Sequence, residues 1–304
     1  MNKKFLELAK KSKVIVIKVG SNILVNEKHV LRRKWLNSLI EDVKELQKRG
    51  SRIVIVSSGA IALGRNILSK KKLTNLHEKQ AAASIGQIQL SQQWQKAFAK
   101  LNIQSSQILI TAEDLNERRK YLNIRNTIYS LMDLNVVPII NENDTTSTEE
   151  IRFGDNDKLS AMIANALSAE LLILLSDVNG LYTANPKKSL QAKLITSVEE
   201  VDQQIEKYID KDLSEFGSGG MLAKINAAKL CIQSGSTMII SNGLVNNPLS
   251  KIDPQSSTWF HPSKNILTSR SNGFGIDQYK KQLFILMKGP QKHSRKIQVC
   301  WQSV

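Results

Sequence analysis

The chain has 304 residues, of which 41% are hydrophobic, 23% charged and 5% aromatic. This composition excludes a collagen-like or generally disordered chain, and the length leaves room for about two domains. The formal net charge of +16 is compatible with a nucleic acid, a membrane surface or a small anion as partner. Sparse aromatic residues and the predominance of lysine over arginine are unlike a nucleic-acid-binding surface and favour a solvated, lysine-rich surface, with which an anionic substrate is compatible.

Several other classes of protein lose support at once. No apolar run approaches the ~18 residues of a membrane span. Lysines and Glu7 interrupt the first residues, so we expect no signal peptide and a cytoplasmic location. The two cysteines, Cys231 and Cys300, form neither a disulfide framework nor a CxxC pair. The four histidines lie far apart in the sequence, so we expect no metal site held by the protein alone.

Short apolar runs rich in β-branched residues recur along the chain and predict strands. These runs are Val14–Val19, Ile53–Ser57, Gln107–Thr111, Val136–Ile140, Leu171–Ser176 and Thr237–Ser241. Most are continuous rather than alternating, which is typical of parallel strands that are buried on both faces.

Helical periodicity lies between these strands. It predicts helices through Leu36–Leu46, over Glu78–Lys100, over Glu117–Leu134 and from Asn156, which we expect to cap its helix. The regular alternation of strand and helix predicts an α/β fold with helices on both sides of a mainly parallel sheet.

Small and polar residues follow four of the predicted strands. They are Lys18–Asn22, Ser57–Ala60, Asn141–Asp144 and Ser176–Gly180. Because ligands bind outside the carboxyl ends of parallel strands, these segments predict a binding cleft at one edge of the sheet. Lys18 lies inside an apolar strand, where an ammonium group is costly unless it reaches a partner or a ligand such as a phosphate.

Two further segments predict polar chemistry. Gly217–Met221 precedes a helical pattern with Lys224 about one turn in, which predicts an anion cradle at a helix start. Neither the Walker A pattern nor GxGxxG occurs, so a P-loop or dinucleotide fold loses its main support. Phe153–Asp157 has two interpretations at this level. It forms a turn with a helix cap, or it supplies an acid that orients cationic groups or a magnesium ion.

Taken together, these motifs resemble the amino acid kinase family over about residues 14 to 260. The matching segments are Val16–Ser21, Ile53–Ala60, Val137–Asp144, Gly154–Asp157, Gly180–Thr183 and Gly217–Met221 with Lys224. The resemblance implies a three-layer αβα sandwich with a mainly parallel central sheet. It also implies a kinase domain over residues 1–260, whose N-terminal half binds glutamate and whose C-terminal half binds ATP.

The pairing of Asn141–Asp144 with Gly154–Asp157 is typical of the family members that phosphorylate glutamate. It implies ATP-dependent phosphorylation of the side-chain carboxylate of L-glutamate to L-glutamyl 5-phosphate, the first step of proline biosynthesis. The resemblance further implies a homo-oligomer, dimeric or tetrameric, with proline as a possible feedback inhibitor.

The resemblance also implies roles for single residues. The catalytic positions match Lys18 and Lys224, which flank the transferred phosphoryl group, and Asp157, which holds both lysines. The glutamate-binding positions match Lys18, Ser58, Asp144 and Asn156. The ATP-binding positions match Ser176, Asp177, Ser218, Gly219, Gly220, Met221, Leu222, Ala223 and Lys224, and Mg²⁺ accompanies the nucleotide. We expect the acid Asp144 to suit the ammonium of the substrate, and neutral Ser58 and Asn156 to suit its carboxylate.

Some features depart from the family pattern. Asn185 replaces a common aspartate and Ser176 a common threonine, which puts the nucleotide affinity in question. Residues 261–304 carry eight lysines or arginines against one acid, Asp277. We expect this basic tail to be the remnant of a truncated domain of the PUA type, with an incidental charge.

Two alternatives remain open. One is a kinase for a different small anion, such as acetylglutamate, aspartate or a nucleoside monophosphate, against which the pairing of Asn141–Asp144 with Gly154–Asp157 argues. The other is a nucleic-acid-binding protein on a decayed kinase scaffold. The intact lysines, glycines and acids of the predicted cleft argue against that second alternative.

Overall fold

The computed structural model describes residues 1–69, 72–147, 155–186, 189–203, 205, 208 and 220–262. The helices with described bounds are α1 (Lys3–Lys11), α2 (Ser21–Leu24), α3 (Arg33–Lys48), α4 (Ala60–Ile67), α5 (Leu76–Ala99), α6 (Ala112–Asn116), α7 (Arg118–Asp133), α8 (Asp155–Ala166) and α9 (Gly220–Ser234). The strands are β1 (Val14–Val19), β2 (Arg52–Ser57), β3 (Gln104–Ile110), β4 (Val136–Glu142), β5 (Leu171–Ser176), β6 (Leu181–Tyr182), β7 (Leu194–Ile195), β8 (Ser197–Val198), β9 (Thr237–Asn242) and β10 (Thr258–Phe260).

Eight of the strands form one sheet in the order β3-β4-β2-β1-β5-β9-β10-β8. All of its pairs are parallel except β9 with β10. Strand β1 lies at the centre, with Lys18 opposite Val56 of β2 and Leu174 of β5. All of the strands predicted from the sequence belong to this sheet, and the prediction of a mainly parallel sheet is confirmed.

Side chains alternate between two apolar layers along the central strands. Ile15 and Ile17 belong to the core that includes side chains of α3 and α5. Val14 and Val16 belong to the opposite core, which includes side chains of α7, α8 and α9. Helices therefore cover both faces, and the predicted αβα sandwich is confirmed. Because side chains of a strand alternate, Lys18 follows Val14 and Val16 onto the face covered by α8 and α9.

Helices α4 and α5 cross with their backbones in contact. A Cβ atom on Gly64 would lie 1.7 Å from the carbonyl oxygen of Ala82, and one on Gly86 would lie 1.8 Å from that of Ala60. Helix α4 starts directly after β2 through Gly59, whose φ of 113° is in the left-handed region that favours glycine. The crossing therefore fixes α5 relative to the carboxyl end of β2.

Some boundaries differ from the predictions. Strand β3 begins at Gln104, before the predicted start at Gln107. The prediction missed the first residues of the strand because they are polar and form no apolar run. The prediction that Asn156 caps a helix is wrong: α8 already includes Asp155, and the Asn156 side chain donates to other elements. None of the helices in the described part of the chain has the length and apolar character needed to cross a bilayer.

Candidate active site

A buried carboxylate joins two lysines at the carboxyl edge of the sheet. Nζ of Lys18 lies 2.6 Å from Oδ1 of Asp157, and Nζ of Lys224 lies 3.0 Å from Oδ2. The Asp157 side chain is fully buried, whereas those of Lys18 and Lys224 are 10% and 13% exposed. The residues come from β1, the first turn of α8 and the start of the second turn of α9. The structure therefore brings together three residues that the sequence predicted as one catalytic group.

Each charge of this cluster changes the ionisation of the others. Burial lowers the pKa of Lys18 from its ordinary value, and the charge of Lys224 lowers it further, against the opposing effect of Asp157. Burial acts to raise the pKa of Asp157, yet the Lys18 and Lys224 ammonium groups hold that pKa below its usual range. Asp157 is therefore ionised near neutral pH.

With both lysines protonated, Lys18, Lys224 and Asp157 together carry a net positive charge, which the Asp177 carboxylate opposes at Lys18. Lys224 also lies at the amino end of α9, where the helix dipole disfavours a cation. A bound anion would relieve both effects. The arrangement therefore suits a ligand that brings negative charge between Lys18 and Lys224.

A second polar group lies beside this cluster. Nδ2 of Asn156 donates to Oγ of Ser58 over 2.8 Å and to Oδ1 of Asn141 over 3.1 Å. Oδ1 of Asn156 is buried and has no hydrogen-bond partner among the described residues. A buried acceptor without a partner is costly, so this oxygen suits a donor group supplied by a ligand. Asp144 lies two residues beyond β4 and is partly buried.

The carboxyl end of β5 continues the same edge. Oγ of Ser176 donates to Oδ1 of Asp177 over 3.2 Å, and the Asp177 charge acts on Lys18. A Cβ atom on Gly20 would lie 3.5 Å from Nζ of Lys18, at van der Waals distance, so the segment after β1 passes close to the ammonium group. Within the described residues, no group of three or more His, Cys, Asp or Glu side chains is placed to hold a metal ion.

The predicted ATP-binding segment is described in part. Gly220, Met221, Leu222 and Ala223 form the start of α9, directly before Lys224, and the Leu222 side chain is 37% exposed. Gly217, Ser218 and Gly219 lie outside the described residues. The same holds for Phe153, for Gly154 of the Gly154–Asp157 motif and for residues 263–304 of the basic tail.

Residues 13–242 match the model of the amino acid kinase family. The chain belongs to the amino acid kinase family. It is 49% identical to the glutamate 5-kinase of Pelagibacter ubique over 86% of its length, and 45% identical to that of Agrobacterium fabrum over 84%. It spans 72% and 66% of the lengths of these two relatives.

Solved structures with the same fold include two other kinases. The carbamate kinase of Giardia lamblia bound to AMP-PNP gives a TM-score of 0.58 at 17% identity, and covers 84% of this chain and all of its own. The UMP kinase of Ureaplasma parvum gives 0.57 at 17% identity, over 82% of this chain and 98% of its own. At this identity the likeness shows the fold alone, with its helices on both faces of a parallel sheet.

Sequence analysis did not identify two polar residues that lie beside the candidate site of this amino acid kinase. Asn141 was predicted as part of the cleft segment Asn141–Asp144 but without a role of its own, and Gln87 lies within the long helix α5. Nδ2 of Asn141 donates to Oε1 of Gln87 over 2.8 Å. A buried amide at the end of an apolar strand was the available signal for Asn141. Gln87 gave none, because glutamines recur along α5 and only the packing selects one of them.

The Gly180–Thr183 motif has a structural use in this kinase. A Cβ atom on Gly180 would lie 2.1 Å from Oγ1 of Thr258, and the same hydroxyl accepts from the backbone N–H of Leu181 over 2.8 Å. The motif therefore fixes the segment after β5 against β10, and its glycine is required by close packing rather than by a ligand.

Proposed function

We propose that this chain transfers the γ-phosphoryl group of ATP to the side-chain carboxylate of L-glutamate, giving L-glutamyl 5-phosphate and ADP, the first step of proline biosynthesis. The observation that carries the proposal is the buried Asp157 carboxylate, which holds Lys18 at 2.6 Å and Lys224 at 3.0 Å. Two ammonium groups held in this way suit a reaction in which two anions must approach each other. The named relatives, at 49% and 45% identity, support glutamate as the acceptor.

The transfer needs no general base, because the acceptor carboxylate is already ionised near neutral pH. One of its oxygens attacks the γ-phosphorus, the bond to the bridging oxygen breaks, and the electron pair leaves with ADP. Positioning and neutralisation of the crowded negative charge dominate such a reaction. We assign the contacts with the reacting groups to Lys18 and Lys224, and the positioning of both lysines to Asp157.

Lys18, Ser58, Asn156 and Asp144 form the proposed glutamate site. Because both hydrogens of the Asn156 amide are engaged, the atom that it offers to a ligand is the acceptor Oδ1. We therefore revise the expectation that Asn156 faces the substrate carboxylate, and assign it with Asp144 to the α-ammonium. The Ser58 hydroxyl accepts from Asn156, which leaves its own proton for a carboxylate oxygen.

The proposed ATP site comprises Ser176, Asp177 and the segment Ser218–Lys224. The backbone at the start of α9 and Lys224 suit the phosphates, and the exposed Leu222 offers an apolar surface to the base. The exposed Asp177 carboxylate fits a single ligand of a Mg²⁺ ion that keeps phosphate and water as its other ligands. Such an ion would add charge neutralisation at the phosphates.

The rest of the proposal concerns organisation. Residues 1–260 form the kinase domain, with glutamate bound by its N-terminal half and ATP by its C-terminal half. The enzyme works in the cytoplasm as a homo-oligomer, dimeric or tetrameric, and proline acts as its feedback inhibitor.

A hydroxamate assay tests the function directly. The chain is incubated with ATP, Mg²⁺, hydroxylamine and L-glutamate, and the trapped acyl phosphate is measured as γ-glutamyl hydroxamate. ADP release is measured in parallel with N-acetylglutamate, aspartate and UMP. We expect hydroxamate that depends on glutamate and decreases when proline is added. ADP release with another acceptor but not with glutamate would overturn the proposed substrate.

A further inference from the structure

A chain of side-chain amides leads from helix α5 to the proposed glutamate site. Nδ2 of Asn141 donates to Oε1 of Gln87 over 2.8 Å, and Oδ1 of Asn141 accepts from Nδ2 of Asn156 over 3.1 Å. At the outer end, Nε2 of Gln87 donates to Oγ of Ser91 over 3.3 Å. Each amide thus presents its oxygen on one side and its nitrogen on the other.

The direction of this chain is set at its outer end, because the Ser91 hydroxyl donates its proton to the backbone carbonyl of Gln87 over 3.0 Å and therefore accepts from Nε2. If the Asn141 amide turned over, its oxygen would face Oε1 of Gln87 and its nitrogen would face Nδ2 of Asn156. Both contacts would then join like groups. Asn141 is only 3% exposed, so the loss of both hydrogen bonds would be costly. The Gln87 carbonyl therefore determines that Asn141 offers an acceptor to Asn156.

The same logic extends to the last amide. Asn156 gives its nitrogen to Asn141 and Ser58, and its oxygen is the atom left without a partner among the described residues. With the chain reversed, Asn156 would offer its nitrogen instead. A nitrogen donor would repel an ammonium group, whereas the oxygen accepts from one.

The position of Gln87 is itself held by packing. The neighbouring residue Gly86 touches the backbone of α4 at Ala60, so α5 cannot slide without a collision. Gln87 also lines a cavity with Asn141 and Ser57, of about 370 Å³. The backbone of Gln87 is thus fixed relative to α4, and the hydrogen bonds to Asn141 and Ser91 orient its amide.

We propose that Gln87 is a positioning residue that makes the site select acceptors with an α-ammonium group. It acts through Asn141 and Asn156 and does not touch the substrate. This inference rests on the proposed function. It predicts discrimination between glutamate and glutarate, the same dicarboxylate without the amino group, because a site that hydrogen-bonds a group rejects the analogue that lacks it.

Substitutions of Gln87 that differ in hydrogen-bonding character test the proposal. Gln87→Glu keeps an oxygen acceptor toward Asn141, Gln87→Met removes it at similar size, and Gln87→Lys offers a donor only. We measure kcat and KM for glutamate, glutarate and ATP, with the melting temperature as a check on folding. Gln92→Met is the matched control, because Gln92 lies one turn further along α5 and is exposed.

We expect Gln87→Met to raise KM for glutamate about 10- to 100-fold, the range of a lost hydrogen bond to a charged group. KM for ATP should stay within about twofold, and the preference for glutamate over glutarate should fall by the same factor as glutamate binding. Gln87→Lys should reduce the preference further, whereas Gln87→Glu and Gln92→Met should stay near the wild type. If Gln87→Met does not fold, the proposal is decided by comparing Gln87→Glu with Gln87→Lys in their preference for glutamate over glutarate.

The outcomes separate the two proposals. Equal preferences in the Glu and Lys variants, or a Met variant with the wild-type KM for glutamate, would overturn the role of Gln87. Failure of the wild type to phosphorylate glutamate would overturn the proposed function instead. In that case KM of the Gln87 variants is compared for the acceptor that the wild type does phosphorylate and for the same acceptor without its amino group. The role of Gln87 stays testable, because the amide chain would select for an amino group on any acceptor.

Discussion

Nζ of Lys18 lies 2.6 Å from Oδ1 of Asp157, although the lysine belongs to the central strand β1 and the aspartate to the start of α8. The carboxylate is fully buried and also contacts Lys224. Removal of one partner from a buried ion pair leaves an uncompensated charge, which costs more than the pair itself contributes. The contact therefore links the stability of the fold to the arrangement of the two lysines to which we assign catalysis.

Replacement of Asp157 tests this link. We expect Asp157→Asn to lower the free energy of unfolding by about 3–5 kcal/mol, because two buried ammonium groups then lack a counter-charge. The triphosphate of ATP would supply the missing charge, so ATP should raise the melting temperature of the variant more than that of the wild type. Thermal unfolding with and without ATP measures both effects. Equal shifts in the two proteins would contradict the assignment.

Lys224 is expected to act on the transition state. Lys224→Ala should reduce kcat at least ~10²–10³-fold, the usual effect of losing a donor aimed at developing charge, while the fold survives. The hydroxamate assay gives the rate and circular dichroism the fold. Lys158→Ala is the matched control, because Lys158 follows Asp157 in α8 but is exposed. Near-normal turnover of Lys224→Ala would remove this lysine from the mechanism.

The lowered pKa of Lys18 predicts opposite effects of alkaline pH on activity and on stability. Activity should fall as pH rises through that pKa, at a pH below the ordinary value of 10.5. In the same window the unfolded chain binds more protons at this residue than the folded chain does, so the contribution of Lys18 to the free energy of unfolding rises with pH.

A pH profile of kcat and urea unfolding at matched pH values check these two trends. Lys18→Arg is the informative variant, because arginine stays charged throughout this range. Its alkaline loss of activity should move to higher pH, whatever its maximal rate. An unchanged alkaline limb would show that another group controls it.

Asp42 is a buried acid that we expect to act only on stability. Its Oδ2 accepts from the backbone N–H groups of Leu249 and Ser250 over 2.9 and 3.1 Å, and its Oδ1 accepts from the Ser250 hydroxyl. Asp42→Ala leaves these buried donors without a partner and should cost about 2–4 kcal/mol. Urea unfolding measures the loss, and kcat of the folded protein should be unchanged. Asp42→Asn, which keeps one oxygen acceptor, should lose less.

Gly86 should reverse the usual effect of a glycine-to-alanine change in a helix. Alanine is favoured over glycine by about 1 kcal/mol in a helix interior. Here the new Cβ atom would meet the Ala60 carbonyl oxygen at 1.8 Å, so α4 and α5 must separate. We expect a net loss of about 1–3 kcal/mol and a higher KM for glutamate. Thermal unfolding and steady-state kinetics test this, with Ser84→Ala on the exposed side of α5 as control.

Much of the fold was predictable because the central strands are continuous apolar runs. The predicted bounds of β1 and β5 coincide with the observed ones. The edge strand β3 was predicted too short, since Gln104–Gln107 lie at the open side of the sheet and carry no apolar pattern. Helix α4 was not predicted, because its eight residues follow a glycine and are too few for a clear period.

Residues of the candidate site were predictable where a single residue stood out from its local sequence. Lys18 is conspicuous in an apolar strand, and Lys224 follows a glycine cluster. The roles of Gln87 and Asn141 could not be predicted, because they arise from a contact between α5 and β4 that no local pattern encodes. The orientation of the Asn156 amide is likewise set by Ser58 and Asn141, which lie far from it in the sequence. Local sequence alone showed only an asparagine before a helical pattern, so it was expected to cap the helix.

The backbone contact between α4 and α5 also bears on the order of assembly. Its partners are near neighbours along the chain, whereas the central sheet depends on distant ones, such as the backbone of Val14 and the carboxylate of Glu170, 156 residues apart. Contacts of short range form faster than distant ones. The helical hairpin that carries Gln87 should therefore form before β5 joins β1, and pulsed hydrogen exchange during refolding should protect its amides first.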